Sequence, residues 1–310
     1  MAAGCGNGPS LSGNFDRSYP VTGHARVEIS SASGDVNITG SADGKIHVHG
    51  EVRASGSGQQ DAQRHLSDIE NNPPIEQTPE GVRVGRDVER LHHASISYTI
   101  EVPRDTEVTS LAASGSQSVR GVRGPIKLQS ASGSVRAEDI DSDALLTSLS
   151  GNVSATNMGD AVRASSTSGD VTVSGAKGDV RANTESGSIQ ISKPGGRVEA
   201  TVASGSIHVQ GVTGDAKLHG ISGQVSVQGN PPASGYWDLK TITGGLDIGV
   251  PSGANFHLLA ASTSGEIRAD FPILIEEQGK HSLRAQIGTG GARIEAHTVS
   301  GEIHLSPATM

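Results

Sequence analysis

Apolar and polar residues alternate in short runs along most of the chain, and each run follows a serine-glycine or threonine-glycine pair. Seven of these glycines recur at a strict spacing of eighteen residues. They are Gly115, Gly133, Gly151, Gly169, Gly187, Gly205 and Gly223. The residues two and four positions after each glycine are valine, isoleucine or alanine, with Gln117 as the polar exception. Because strand side chains alternate between two faces, this pattern predicts a short strand with one buried face.

A second strand is predicted within each repeat. Apolar residues stand eleven and thirteen positions after the first six glycines, from Ile126 and Leu128 to Ala216 and Leu218. Turn pairs such as Gly178-Asp179 precede several of them, and both residue types favour tight turns. A fixed short period indicates one unit stacked on copies of itself. The predicted fold is therefore an all-β β-solenoid with 18-residue rungs of two short strands.

The repeat signature becomes irregular outside this stretch. It recurs near the N-terminus and toward the C-terminus, at Ser33-Gly34, Thr243-Gly244, Ser264-Gly265, Thr289-Gly290 and Ser300-Gly301. We expect a disordered or lipoprotein-type tail at 1–22, a capping region at 23–110, regular rungs at 111–229, and irregular rungs with a capping hairpin at 230–310.

One helix is predicted, at 59–71, because Ala62, Leu66 and Ile69 fall on one face and two prolines follow it. The runs at 271–275 and 281–287 predict a hairpin. We expect the helix and the hairpin to cap the two ends of the stack, where unpaired strand edges would otherwise recruit other chains.

Composition and charge narrow the class of partner. With 42 glycines and 2% aromatic residues, the chain suits a thin aliphatic core between closely spaced sheets. The net charge is −9 and there is no basic run. This argues against nucleic acid and against direct attraction to anionic lipid head groups, and it is compatible with cationic peptides.

Two runs carry a family resemblance. The first, at 96–106, leads directly into the serine-glycine repeats, and the second is Ser-Gly-Glu-Ile-Arg-Ala-Asp-Phe-Pro at 264–272. Together with the repeats from about Val27 to Leu305, they resemble the bacterial "putative adhesin" family, a β-strand-repeat domain of unknown function. The resemblance implies an exported or surface-associated β-solenoid without catalytic residues. Some relatives are similar to envelope-stress proteins that respond to cationic antimicrobial peptides.

The N-terminal sequence gives a hypothesis about the cellular location of the protein. Ala2-Ala3-Gly4-Cys5 resembles the end of a bacterial lipoprotein signal, in which lipid is attached to the cysteine. The alternative is an ordinary tail with an incidental thiol. Cys5 is the only cysteine, so we expect no internal disulfide. No later stretch approaches the ~20 apolar residues of a membrane span.

Signals for bound ions and cofactors are weak, and we expect none. His47 and His49 share a strand face, but neither has a further ligand at a recognised spacing. Aspartates in the turns lack the Gly-Gly-x-Gly-x-Asp pattern of a calcium β-roll, so ordinary turn roles are favoured. The serine before each glycine is expected to bond turn backbone groups, with a ladder for ice or sugar as the alternative.

The only candidate binding patch in the sequence is Tyr236-Trp237, beside an insertion at 230–235. The favoured alternative is that these aromatics cap or plug the stack. A serine-hydrolase elbow is absent from the sequence, and a polysaccharide-cleaving β-helix enzyme would need convergent acids and aromatic faces.

These patterns favour a non-enzymatic scaffold of the bacterial cell envelope, whose partner is an unknown surface, peptide or glycan. An envelope-stress or cationic-peptide-sensing regulator is the first alternative. A carbohydrate-active enzyme is the second.

Overall fold

The computed structural model describes residues 9–85, 93–270 and 272–308, and the chain divides into two compact units, Met1–Asp141 and Ser142–Met310. Unit 1 contains one helix and eleven strands among its described residues. They are β1 (Ser10–Pro20), β2 (Arg26–Ser31), β3 (Val36–Ser41), β4 (Lys45–Ser55), α1 (Gln59–Asn71), β5 (Ile75–Thr78), β6 (Gly81–Val84), β7 (Ala94–Pro103), β8 (Glu107–Ser114), β9 (Gln117–Arg120), β10 (Ile126–Ser132) and β11 (Val135–Ile140). One sheet has the order β1-β4-β7-β3-β9-β11, and the other β10-β8-β2-β6-β5.

Unit 2 contains only strands among its described residues. They are β12 (Ala144–Ser150), β13 (Val153–Met158), β14 (Val162–Ser168), β15 (Val171–Ala176), β16 (Val180–Ser186), β17 (Ile189–Ser192), β18 (Val198–Ser204), β19 (Ile207–Val212), β20 (Ala216–Ser222), β21 (Val225–Gly229), β22 (Tyr236–Thr243), β23 (Leu246–Val250), β24 (Phe256–Ser264), β25 (Ile267–Ala269), β26 (Leu274–Gln278), β27 (Ser282–Ile287), β28 (Ala292–Ser300) and β29 (Ile303–Pro307). One sheet has the order β13-β15-β17-β19-β21-β23-β29-β25, and the other β12-β14-β16-β18-β20-β22-β28-β24-β27-β26.

The rungs stack with like residues over like residues. In β14 and β16, Val162 pairs with Val180 and Ala164 with Ala182, in parallel register. These side chains are almost completely buried between the two sheets. Short strands cannot bury an apolar face alone, but aligned copies form a continuous core. The structure thus confirms the predicted all-β solenoid of two-strand rungs.

The repeated glycines form a spine along one corner of the rungs. Gly205 has a φ of 135°, a value that side-chain-bearing residues rarely adopt. A Cβ atom on Gly205 would also collide with the carbonyl oxygen of Gly187 in the neighbouring rung. The same relation holds for Gly187 against Gly169 and for Gly223 against Gly205. The glycine is therefore required twice, for its backbone conformation and for the close approach of the next rung.

Buried hydroxyl groups satisfy the carbonyl groups of this spine. Ser166 Oγ donates to the carbonyl oxygen of Gly151 at 2.9 Å, and Thr184 Oγ1 donates to that of Gly169 at 3.0 Å. The sequence analysis assigned the turn-bonding role to the serine directly before each glycine, but that residue, such as Ser168, is exposed. The hydroxyl that bonds the spine stands two positions earlier.

Turn aspartates join consecutive rungs, both beside the glycine spine and at another corner. Asp170 Oδ1 accepts the backbone N–H of Ser188 at 2.8 Å. Asp179 Oδ1 accepts that of Arg197 at 2.8 Å. Each carboxylate thereby caps an amide one repeat later in the chain, which is the structural role expected of an aspartate in a turn.

One rung in each unit is inserted between two rungs that follow each other in the chain. In unit 1, β2 pairs in parallel with both β6 and β8, while β3 pairs with β7 and β9. In unit 2, β28 pairs with β22 and β24, while β29 pairs with β23 and β25. The glycine spine follows this order, because Gly301 abuts Gly244, and Gly265 abuts Gly301. The sequence analysis did not predict either insertion.

The helix forms at the predicted residues, Gln59–Asn71, and buries Ala62, Leu66 and Ile69. It packs against β1 and β4, and the backbone N–H of Asn14 in β1 donates to Glu70 Oε1 at 3.2 Å. The helix therefore covers strands at the edge of one sheet of unit 1, where an open edge would invite pairing with other chains.

The strand β1 corrects the predicted N-terminal tail. Residues 10–20 pair antiparallel with β4 along their whole length, from Ser10 opposite Ser55 to Pro20 opposite Lys45. Only Phe15 of β1 is fully buried, so the segment carries almost no apolar pattern. Cys5 lies outside the described residues. The other proposed segment boundaries stay predictions.

The predicted C-terminal hairpin is present as β26 and β27, which pair antiparallel. Phe271, part of the predicted first strand, lies outside the described residues. The hairpin attaches through β27 to β24, and β26 is the edge strand of its sheet.

Replacing Gly205 by alanine should lower the free energy of unfolding by about 1–3 kcal/mol, because the backbone is strained and the next rung is pushed away. Urea unfolding followed by circular dichroism measures the effect. Gly253→Ala is the matched control, since a Cβ there meets no atom within 4 Å and φ is ordinary. This control should stay within about 0.5 kcal/mol of wild type. Equal stability of the two variants would contradict the role of the spine.

Truncation after residue 291 should lower the thermal unfolding midpoint by about 10 °C or more, because removing β28 and β29 exposes strands on both sides of the gap. A chain ending at Pro307 is the control, because it retains both strands. Calorimetry and binding of an apolar dye report the change. An unchanged midpoint after removal of the whole rung would show that the insertion is not needed for stability.

Candidate functional site

The candidate site is the outer face of the neighbouring strands β20, β22 and β28 in unit 2. Their parallel register aligns outward side chains in rows. The rows contain Lys217, Asp238 and Glu295, then His219, Lys240 and His297, and finally Ile221, Ile242 and Val299. The face therefore combines charged, titratable and apolar rows at the ~4.8 Å spacing of a sheet.

Trp237 and Tyr236 take opposite sides of β22. Trp237 is completely buried, lies between Ala216 and Ile294 in the register, and donates from Nε1 to the carbonyl oxygen of Gly214 at 3.0 Å. Tyr236 faces outward and is 40% exposed. Of the two aromatic residues in the predicted patch, only Tyr236 is therefore available to a partner at the surface.

A short hydrogen bond orients the ring of Tyr236. Its hydroxyl donates to Glu295 Oε2 at 2.6 Å, and Arg293 forms an ion pair with the same carboxylate. The hydrogen bond to Glu295, assisted by desolvation, raises the pKa of Tyr236 to about 12. The same bond lowers the pKa of Glu295. The tyrosine is therefore a fixed neutral donor at physiological pH.

Asp238 is the buried centre of the charged rows. Its Oδ2 lies 3.0 Å from His219 Nε2, and its Oδ1 lies 2.9 Å from Lys240 Nζ. Burial acts to raise the pKa of Asp238, but the hydrogen bonds from Lys240 and His219 outweigh it, so the pKa is lowered. The carboxylate stays ionised and holds both partners in place.

The apolar row is the most unusual part of this face. Ile221, Ile242 and Val299 are 53%, 50% and 49% exposed, although all three are aliphatic. They stand side by side on adjacent strands, directly before the serine or threonine of the repeat signature. Scattered apolar residues are normal on protein surfaces, whereas a contiguous group of them marks an interaction site.

A comparison with known families shows which family the chain belongs to. Residues 95–210 and 196–306 match the family described as Toastrack DUF4097, and together they cover more than half of the chain. This chain belongs to the Toastrack DUF4097 family. The family is a β-repeat domain of unknown function, which confirms the resemblance found in the sequence.

Other comparisons add little about this Toastrack protein. No curated protein matches the chain. A putative cell adhesion protein from Clostridium sporogenes is 10% identical, covers 96% of this chain and 100% of its own, and has a TM-score of 0.22. A putative lipid binding protein from Parabacteroides distasonis is 11% identical, covers 94% and 96%, and has a TM-score of 0.43. TM-scores below 0.5 carry no information on function.

Several histidines of the Toastrack chain pair with carboxylates. His49 Nδ1 lies 2.8 Å from Asp16 Oδ1, and His304 Nε2 lies 2.8 Å from Asp270 Oδ2. In the part of the chain that the structure describes, no group of three or more histidine, cysteine or acidic residues is arranged to hold a metal ion. Over the same residues, no helix is long and apolar enough to cross a membrane.

A shallow polar depression of about 490 Å³ lies in unit 1. Two of its acidic groups are engaged by arginines: Glu107 Oε2 lies 2.8 Å from Arg26, and Asp105 Oδ1 lies 3.9 Å from Arg123. Carboxylates paired in this way are solvated surface ion pairs.

Tyr236 was predicted from the sequence, whereas the apolar row was not. The available signal was the residue directly before each serine-glycine or threonine-glycine pair. That position is threonine, glutamate, alanine and threonine at 167, 185, 203 and 263, but leucine at 149 and isoleucine, isoleucine and valine at 221, 242 and 299. Only the register shows that Val299, 57 residues beyond Ile242 in the chain, stands next to it.

Glu295→Gln should lower the pKa of Tyr236 from about 12 toward its ordinary value of about 10, because the negative charge that stabilises the neutral phenol is removed. Ultraviolet titration of tyrosinate measures the shift, and Tyr236→Phe identifies the transition among the three tyrosines. If the titration of Glu295→Gln superimposes on that of wild type, the hydrogen bond does not control this tyrosine.

Proposed function

We propose that this Toastrack protein is a non-enzymatic scaffold of the bacterial cell envelope that binds a partner through the outer face of β20, β22 and β28. The observation that carries the proposal is the exposed apolar row of Ile221, Ile242 and Val299. Exposure of three adjacent aliphatic side chains is unfavourable in water, and a partner that covers them removes this cost.

The rigidity of the strands supports this role. Each strand that carries an apolar side chain pairs in parallel with its neighbouring strands, and this pairing fixes the position of the side chain. A preformed platform loses little conformational entropy on binding. The Lys240 ammonium group stands in the row next to the apolar row and can orient a peptide or glycan by hydrogen bonds.

Several features favour binding over catalysis. The carboxylates of the face are engaged, Asp238 by Lys240 and His219, and Glu295 by Tyr236. The pKa values of both carboxyl groups are lowered, whereas a general acid requires the opposite direction. These arrangements are suited to holding side chains in place.

The envelope location rests on the N-terminal sequence and on the exported or surface location that the family resemblance implies. The Ala2-Ala3-Gly4-Cys5 motif supports attachment of lipid at Cys5, and this would hold the protein at a membrane without a spanning segment. In this proposal, the lipid at Cys5 retains the protein at the membrane, and the outer face of β20, β22 and β28 binds the partner.

Replacing Ile221, Ile242 and Val299 together by threonine should reduce binding to isolated bacterial envelopes by more than tenfold, since each change removes about 1 kcal/mol of apolar burial. Sedimentation of fluorescently labelled protein with the envelopes measures it. Leu149→Thr is the matched control, because Leu149 occupies the same position of its rung and is 55% exposed, next to the polar Thr167.

Retention of binding by the triple variant would contradict the proposed surface. Loss of wild-type binding at high salt would instead favour the electrostatic capture of a cationic partner, as expected of a peptide-sensing regulator. Binding that is unaffected by salt and abolished by the three substitutions is the result expected for an apolar contact surface.

A further inference from the structure

The core of unit 1 contains an unusual set of buried polar side chains. Five of them have a polar atom without a hydrogen-bond partner in the protein, and all five residues are at least nine-tenths buried. They are Ser31, Tyr98, Ser110, Gln117 and Ser130. Within the described residues, the corresponding set in unit 2 is Asp238 alone, which lies beside Lys240. A buried polar group without a partner is unfavourable, so a cluster of five requires an explanation.

The register places these side chains in four successive layers of the stack. The layers are β6 with β7, β2 with β3, β8 with β9, and β10 with β11. Tyr98 belongs to the first layer, Ser31 to the second, Ser110 and Gln117 to the third, and Ser130 to the fourth. The polar groups therefore follow one another along the interior, with at least one in every layer.

Two of these serines flank a small residue. Ser31 and Ser130 pair with Ala112 from opposite sides, on β2 and β10. Gln117 reaches across from the other sheet, and its Nε2 donates to the carbonyl oxygen of Gln129 at 2.6 Å, next to Ser130. The side chains in this row of three layers, two hydroxymethyl groups and one methyl group, are all small.

The register keeps the serines too far apart to bond to each other. Ser31 and Ser130 lie two strand spacings apart, about 9–10 Å, with Ala112 between them. A direct hydrogen bond spans only about 2.7–3.2 Å, so polar groups at this separation are joined only through a chain of bridging molecules. The five side chains carry no charge, which favours a neutral hydrogen-bonding molecule over an ion.

We propose that the core of unit 1 binds a file of ordered water molecules, held by Ser31, Ser110, Gln117 and Ser130, with the Tyr98 hydroxyl at one end. Water supplies both donors and acceptors, as Gln117 Oε1 and the hydroxyl groups require. The site joins the inserted rung, β2 and β3, to the layers on either side of it.

Unit 2 shows how the same positions behave without such a site. There the buried hydroxyls of Ser166 and Thr184 donate directly to spine carbonyls. The position of Gln117 is filled by apolar residues such as Val171 and Ile189. The polar interior is thus a local property of unit 1, and the exception at Gln117 in the apolar pattern was its signal in the sequence.

Magnetic relaxation dispersion of water nuclei counts long-lived internal water and tests the site in the full chain. The variant Ser110→Ala/Gln117→Val/Ser130→Ala should lose at least one long-lived water molecule per protein relative to wild type. Ser166→Ala is the control, because its hydroxyl already bonds to Gly151, and it should lose none. Equal dispersion for the triple variant and wild type, with a raised unfolding midpoint in the variant, would show that the site is dry and overturn the proposal.

A crystal structure of the wild-type protein gives a test that does not depend on folding of the variant. We expect ordered water within hydrogen-bond distance of Gln117 Oε1 and of at least two of the three serine hydroxyls. Well-defined density for these side chains without any such water would overturn the proposal. Density for a larger polar molecule at the same groups would also contradict the assignment to water.

Discussion

The close stacking of one glycine on the carbonyl oxygen of the next is the contact on which both units depend. A side chain at Gly133 would meet Gly115, and one at Gly205 would meet Gly187. Because this contact fixes the height of each rung, it also fixes the parallel register on both sides of the corner. The buried valines and alanines then align, and the thin aliphatic core follows from a backbone constraint. The buried hydroxyls at Ser166 and Thr184 complete this corner by satisfying the carbonyl groups.

Inserted rungs distinguish this fold from a simple consecutive stack. Parallel pairing requires only that neighbouring rungs share the same signature, and the rungs ending in Gly34 and Gly301 do. Each can therefore stand between rungs that are consecutive in the chain. In unit 2 this places residues 292–307 between strands that would otherwise be adjacent, and it brings Val299 beside Ile242. The candidate binding face exists because of this insertion.

The two unusual regions depart from the repeat in opposite ways. On the outer face of unit 2, aliphatic residues replace polar ones and are exposed to water. In the core of unit 1, Gln117 and three serines have buried polar atoms without a protein partner, whereas the buried hydroxyls of Ser166 and Thr184 in unit 2 bond to the glycine spine. Natural sequences break local rules most often where a further interaction compensates. The proposals of a partner on the first region and of water in the second follow from the same reasoning.

The rung, its strands and the helix follow from sequence patterns, since each depends on local properties: the backbone freedom of glycine, the alternation around Val171 and Val173, and the apolar face of Ala62, Leu66 and Ile69. Tertiary structure decided what depends on distant residues. The strand β1 forms although Phe15 is its only fully buried residue, because β4 offers an edge along its whole length. Trp237 is buried and Tyr236 exposed, as the pleat of β22 dictates. The repeat pattern does not predict the order of the rungs, because rungs with similar signatures are physically interchangeable and only packing selects their neighbours.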